Sequence, residues 1–277
     1  MMLATLAPPV AATLTCANMN EFILSEYRVT RDAAALQEVS GFGRRAFLVT
    51  KVWAVTPHLI PVDVWPVERG LDPSALSSGA MSVPLPLRFL RSASAHTQLD
   101  ESVTEIAMIG RSNVGKSSLI NAIANRNKLA KTSKTPGATQ LINIYEFGDE
   151  DSDRWLVDLP GYGFAKLSKN RQKQMAAMIN DYVLEREPLT HAVVLIDANV
   201  GPTSLDLQTI DWLRGIDLDF VVVGTKIDKI KSGDRSKKQK KAAGKLQMTS
   251  GDICWVSAEK GTGIPELRSV LANLLSS

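Results

Sequence analysis

The stretch that decides the fold is Gly110-Arg111-Ser112-Asn113-Val114-Gly115-Lys116-Ser117, which follows the apolar run Ile106 to Ile109. It fully matches the pattern G-x-x-x-x-G-K-[ST] of phosphate-binding loops. Glycines let successive backbone N–H groups turn toward one anion, and the helix that follows adds the positive end of its dipole. Lys116 would supply a charge for the β and γ phosphates, and Ser117 a hydroxyl for Mg²⁺. A strand-to-helix turn that binds nothing is the weaker alternative.

Short apolar runs alternate with helical patterns around this loop. Strands are expected at Ile106 to Ile109, Leu141 to Phe147, Trp155 to Val157, Ala192 to Ile196, Phe220 to Val223 and Ile253 to Val256. Apolar residues at helical spacing predict helices over 172–186 and from Ile264 to Leu274. This alternation indicates an α/β fold, a mostly parallel six-stranded sheet with helices on both faces. Ligands of such folds bind at the carboxyl ends of the strands.

The loop after the fifth expected strand, Thr225-Lys226-Ile227-Asp228, matches N/T-K-x-D. The Asp228 carboxylate can accept hydrogen bonds from N1–H and N2–H₂ of guanine, an arrangement that adenine does not offer. An adenine there would leave a desolvated carboxylate unpaired. Lys226 would lie along the base. Alone the pattern is weak, because solvated surface Lys and Asp pairs are common, but after a buried strand in a phosphate-loop chain it favours guanine.

Three more loops follow expected strands or helices in the order of a G domain. Asp158-Leu159-Pro160-Gly161 is a D-x-x-G sequence, whose Asp can hold a water of Mg²⁺ and whose Gly N–H can contact the γ phosphate. In Ser133 to Gln140, either Thr135 or Thr139 could add a hydroxyl to Mg²⁺ on spacing alone. The stretch 256–261 could meet guanine O6. Each of these could by itself be a plain turn, and their order raises their weight.

The extended sequences around these loops closely resemble the EngB GTPases of the TrmE-Era-EngA-EngB group. They are Gly110 to Asn121, Ser133 to Asn143 and Val157 to Ala165, and the resemblance runs from about Phe89 to the C-terminus. It implies a G domain that binds GTP and GDP with Mg²⁺, hydrolyses GTP, assists assembly of the large ribosomal subunit and is needed for cell division and septation.

The resemblance also assigns roles to residues. Ser117 and Thr139 resemble the two Mg²⁺ ligands, and Lys116, Asn113, Thr139 and Gly161 take the catalytic positions. The expected nucleotide contacts are Gly110, Arg111, Ser112, Asn113, Val114, Gly115, Lys116, Ser117, Gly137, Ala138, Thr139, Gln140, Leu141, Asp158, Leu159, Pro160, Gly161, Thr225, Lys226, Ile227, Asp228, Val256, Ser257 and Ala258. Thr225 replaces the Asn of other G proteins, and Ala138 stands where a basic residue is common.

Hydrolysis should be slow without help. Tyr162 follows the D-x-x-G loop, where many small GTPases place the Gln that orients the attacking water. In the related TrmE-type proteins an Asn at the position of Asn113 helps to bind K⁺. Asn113 is therefore a candidate K⁺ ligand. The alternative, that Asn113 only supports the conformation of the loop, has equal weight.

Basic residues suggest an RNA partner. Eight Lys or Arg and one acid, Asp234, lie between Lys229 and Lys245, and Lys166, Lys169, Arg171 and Lys173 follow the D-x-x-G loop. A solvated helix face explains such a run equally well, but its density suits rRNA phosphates of the large ribosomal subunit or its precursor. Two other classes stay open: a GTP-gated RNA-binding module in which hydrolysis is incidental, and a phosphate-loop ATPase or nucleoside kinase.

Composition sets the remaining expectations. The 277 residues are 44% hydrophobic and 22% charged with a net charge of +3, and the two cysteines favour a reducing compartment. No apolar run is long enough to span a membrane, so a cytoplasmic monomer is expected. We expect residues 1–87 to be an irregular N-terminal extension and residues 88–277 to form the G domain. A start at Met81 would give a chain of typical family length, which an intact-mass measurement of the native protein would test.

Overall fold

The computed structural model describes residues 83–131, 141–149, 151–163 and 168–276. Seven strands and five helices alternate along this part of the chain. In order they are β1 Leu87–Ala93, β2 Thr104–Gly110, α1 Lys116–Ile123, β3 Ile142–Phe147, β4 Arg154–Asp158, α2 Lys169–Glu185, β5 Leu189–Asp197, α3 Ser204–Gly215, β6 Asp219–Thr225, α4 Ser232–Lys245, β7 Ile253–Trp255 and α5 Ile264–Ser276. Short 3-10 turns lie at 96–98, 227–229 and 250–252.

All seven strands form one sheet in the order β1-β3-β4-β2-β5-β6-β7. The pairs β2–β4, β2–β5, β5–β6 and β6–β7 are parallel, whereas β1–β3 and β3–β4 are antiparallel. The expected α/β fold with a mostly parallel sheet is confirmed. The expected strand number was wrong, because β1 adds a seventh strand at one edge.

Central strand β2 is buried at every position, as expected for a parallel strand covered on both faces. Helices α1 and α5 pack on one face of the sheet, where Leu119, Ile120 and Leu271 are fully buried. Helices α2, α3 and α4 cover the other face. Because both faces are covered, side chains that meet a ligand must come from the loops at the strand ends. None of the helices in the described ranges is both long and apolar enough to cross a membrane.

The carboxyl end of α1 is held by both ends of the described chain. The backbone N–H of Leu85 donates to the carbonyl of Ile123 at 3.0 Å, ahead of β1. Arg268 of α5 donates from Nε to the same carbonyl and from a terminal nitrogen to the carbonyl of Ala122, both at 2.9 Å. The last carbonyls of a helix receive no bond from within the helix, and that of Ile123 is satisfied by Leu85 and Arg268 instead. Leu85 and Leu87 are buried in the core, so residues before position 88 also belong to the folded unit.

Candidate nucleotide-binding site

The phosphate loop joins β2 to α1, as expected. Gly115 caps the start of α1 with φ +109°, a left-handed conformation that glycine adopts at least cost. The buried ammonium group of Lys116 bonds the Asp158 carboxylate and also donates to the carbonyl of Leu159 at 2.6 Å. The loop and the D-x-x-G sequence are therefore joined through the lysine that the motif assigns to phosphates.

Backbone bonds hold the D-x-x-G segment against the phosphate loop. Tyr162 N–H donates to the carbonyl of Gly110 at 3.2 Å, and Ser112 N–H donates to the carbonyl of Tyr162 at 2.9 Å. A Cβ added to Gly161 would lie 3.0 Å from the nitrogen of Ser112. Position 161 thus favours glycine, because a side chain there would press on the backbone of the phosphate loop.

Asp206 of α3 joins this cluster, although the sequence analysis did not identify it. The Tyr162 hydroxyl donates to Asp206 Oδ1 at 2.9 Å, and Arg111 Nε lies 3.7 Å from Oδ2. Asp206 is only 1% exposed, and its Oδ2 also accepts from the backbone N–H and hydroxyl of Thr203 at the start of α3. Burial, followed by the charge of Asp206, raises the pKa of Tyr162 well above its ordinary value, so the phenol keeps its proton.

Two side chains of the T-K-x-D loop, residues 225–228, form hydrogen bonds to the phosphate loop. The Thr225 hydroxyl lies 2.7 Å from the carbonyl of Val114 and 3.0 Å from that of Ile196. Lys226 Nζ donates to the carbonyl of Asn113 at 2.6 Å and to Asp197 at 2.8 Å. Thr225 therefore links the two loops through its hydroxyl, a role that the sequence analysis did not assign to it.

Asp228, the expected guanine reader, lies beside the loop 256–258. Its Oδ1 accepts from the Ser257 hydroxyl at 2.6 Å, and Lys229 Nζ lies 3.3 Å from its Oδ2. The nitrogen of Ile227 also donates to the carbonyl of Val256 at 3.3 Å. Burial raises the pKa of Asp228, but the hydrogen bonds from Ser257 and Lys229 outweigh it and bring the pKa below its usual value. The carboxylate is thus ionised and accepting, as recognition of guanine N1–H and N2–H₂ requires.

Four of the five expected loops meet at one end of the sheet: 110–117, 158–161, 225–228 and 256–258. Ser117 is half-buried in the first turn of α1, Ala258 is half-buried and Leu141 is exposed. The candidates Gly137, Ala138, Thr139 and Gln140, and the alternative Thr135, lie outside the described residues. The assignments of individual contacts therefore stay predictions.

Comparisons with known proteins agree with this geometry. A family model described as "50S ribosome-binding GTPase" matches residues 105–226. The "Probable GTP-binding protein EngB" of Mycoplasmopsis synoviae is 42% identical over 182 residues, which span 65% of this chain and 95% of that protein. The protein of the same description from Acholeplasma laidlawii is 42% identical over 180 residues, 65% of this chain and 92% of its own.

A solved structure agrees with these relatives. The crystal structure of a probable GTP-binding protein EngB superposes with a TM-score of 0.52 at 25% identity, and the match covers 62% of this chain and 99% of that one. The meeting of the phosphate loop, the D-x-x-G loop and the T-K-x-D loop at one end of the sheet agrees with these descriptions. The chain therefore belongs to the EngB family of GTP-binding proteins and is a P-loop GTPase.

Proposed function

We propose that this GTPase is a nucleotide switch that assists assembly of the large ribosomal subunit and that septation and cell division depend on it. The observation that carries the proposal is a basic helix face next to the T-K-x-D loop, residues 225–228. Helix α4 begins four residues after Asp228 and buries Ala242 and Ala243. Its exposed lysines are Lys237, Lys240, Lys241 and Lys245. The matched family's description as a 50S ribosome-binding GTPase supports the same partner.

The partner contact is electrostatic. Exposed ammonium groups attract rRNA phosphates without reading sequence, and their affinity falls as salt rises. The described members of the second basic group, Lys169, Arg171 and Lys173, are exposed on the first turns of α2. This helix follows the D-x-x-G loop, so a change in that loop on GTP binding would alter how the second group is presented. Lys166 of that group lies outside the described residues.

The site fits a nucleotide with Mg²⁺. Within the described ranges no three His, Cys, Asp or Glu residues cluster as a metal centre. Ser117 and Thr139 would hold Mg²⁺, and Lys116 and the loop amides would hold the phosphates. Bound there, the ion would neutralise phosphate charge as it develops. Lys116 would exchange its bonds to Asp158 and Leu159 for bonds to phosphate.

Slow intrinsic hydrolysis agrees with the position of Tyr162. Its hydroxyl is bound to Asp206, and a phenol cannot replace the amide that orients water in many small GTPases. Asn113 has φ +62° at the centre of the phosphate loop, and its proposed role is as a K⁺ ligand. Turnover in KCl should exceed turnover in NaCl at equal ionic strength, and equal rates would remove K⁺ from the proposal.

The assembly role is tested by depletion followed by sucrose-gradient analysis. An immature large subunit should accumulate before division fails, whereas a normal ribosome profile would contradict the proposal. In vitro, isolated large subunits should bind the protein more tightly with a non-hydrolysable GTP analogue than with GDP, and equal binding would contradict a switch.

Charge variants test the surface. Exchanging Lys237, Lys240 and Lys241 for Gln should weaken subunit binding and reduce its salt dependence. The same exchange at Arg126, Lys128 and Lys131, which are exposed in the segment after α1, is the matched control. Equal losses in both sets would mean that net charge rather than this face binds the subunit.

A further inference from the structure

Lys229 stands apart from the other cations of the basic run. Its ammonium group lies 2.9 Å from Glu259 Oε2 and 3.3 Å from Asp228 Oδ2. The sequence places it at the start of the run assigned to RNA. The fold places it between two carboxylates, one on each of the loops that surround the expected guanine position.

We infer that Lys229 is a positioning residue for guanine recognition, which fixes the Asp228 carboxylate so that both of its oxygens face the base. The hydroxyl of Ser257 holds Oδ1 at 2.6 Å, and Lys229 holds Oδ2. Rotation about the last bond of an aspartate side chain is soft, with broad minima. A carboxylate held at one oxygen can still turn, whereas one held at both keeps its plane.

The two contacts to the Asp228 carboxylate differ in how firmly they are fixed, because Ser257 is held in place and Lys229 is more exposed. The hydroxyl of Ser257 is buried and accepts from the backbone N–H of Lys260 at 3.0 Å. Lys229 has 54% of its side chain exposed and is held mainly by Glu259. The carboxylate of Glu259 therefore helps to keep the ammonium group beside Asp228.

Guanine and hypoxanthine differ in how much they need this arrangement. Guanine offers N1–H and N2–H₂, which require both oxygens of Asp228 in the plane of the base. Hypoxanthine lacks the 2-amino group and requires one oxygen. Loss of Lys229 should therefore weaken GDP binding more than IDP binding. A lysine that only closed the two loops together would affect the two nucleotides equally.

The test measures equilibrium affinity of the full chain for GDP and IDP with Mg²⁺, by displacement of a fluorescent GDP. Lys229→Met should raise the Kd for GDP by about threefold, the size expected from losing exposed ion pairs, and should lower the ratio of the IDP to the GDP Kd. Lys229→Arg, which keeps the charge, should restore both values to within about twofold of the wild type.

Three further variants separate this role from bulk charge. Lys128→Met removes an exposed charge from the segment after α1 that makes none of the described contacts with residues 225–228 or 256–261, and it should leave the ratio unchanged. Lys229→Glu should weaken GDP binding by about tenfold or more because it sets an anion beside Asp228, and adding Glu259→Lys should recover part of the loss. An unchanged IDP to GDP ratio in Lys229→Met, an unaltered Kd for GDP, or the same effect from Lys128→Met would each overturn the inference.

Discussion

Replacing Thr225 by Val removes the hydroxyl that joins the T-K-x-D loop, residues 225–228, to the phosphate loop. The residue is 4% exposed, and its hydroxyl lies 2.7 Å from the carbonyl of Val114 and 3.0 Å from that of Ile196. Valine keeps the shape but leaves a buried carbonyl without this donor, at a cost of about 1–3 kcal/mol. If about 1 kcal/mol of that cost falls on the phosphate loop, the Kd for GDP rises about fivefold.

Calorimetric titration with GDP and urea denaturation measure the two parts of this cost. Thr225→Asn should keep GDP affinity near the wild-type value, because the amide has two N–H donors for the two carbonyls. Thr104→Val is the matched control. Thr104 is also buried, but it lies at the start of β2, the end away from the loops, where its hydroxyl contacts that of Thr190 in β5. Refutation would come from a Thr225→Val protein that loses stability as the control does but binds GDP within twofold of the wild type.

Three more outcomes follow from the same geometry. Tyr162→Phe should lower the free energy of unfolding by about 1–3 kcal/mol in urea denaturation, because buried Asp206 loses a donor; an unchanged midpoint would contradict the contact. Gly224→Ala should lower the thermal midpoint, because the new Cβ would lie 2.3 Å from the Trp255 ring and such overpacking costs about 1–3 kcal/mol; wild-type melting would show that the ring moves freely. Because the folded-state pKa of Asp228 is below its usual value, its carboxylate stabilises the fold above the unfolded-state pKa of about 3.9, and this contribution is lost as the pH falls through the folded-state pKa. The stability advantage over Asp228→Asn should thus be present at pH 6 and shrink below about pH 4, and a constant difference would contradict it.

The parallel core of the fold could be predicted because its strands are continuous apolar runs. Strand β1 could not be identified in this way. Of Leu87–Ala93, only the two end residues are buried, and the pairing with β3 shifts register between Phe89 and Arg91. An edge strand with a bulge shows neither a continuous apolar run nor strict alternation. Strand β1 is defined by its pairing with β3, which is distant in sequence.

The loops of the site could be predicted for a different reason, since each follows a strand and carries a short local motif. The bonds between loops could not. Asp206 joins Tyr162 across 44 residues, and Thr225 reaches Val114 across 111. No local motif marks Asp206 for this contact, because a buried Asp in the first turn of a helix is expected to be a capping residue, and Asp206 does cap α3 together with Thr203. Only the folded chain shows that the Asp206 carboxylate also accepts a hydrogen bond from the Tyr162 hydroxyl.

The shared carbonyl at the end of α1 bears on how shortened versions of this protein should be made. Leu85 and Arg268 both bond to Ile123, and the opposite end of that short helix caps the phosphate loop. Trimming the chain to position 88, or removing the last helix, would strip a bond from the helix that presents Lys116. Expression clones for binding work should therefore include Leu85 and keep the chain through Ser276.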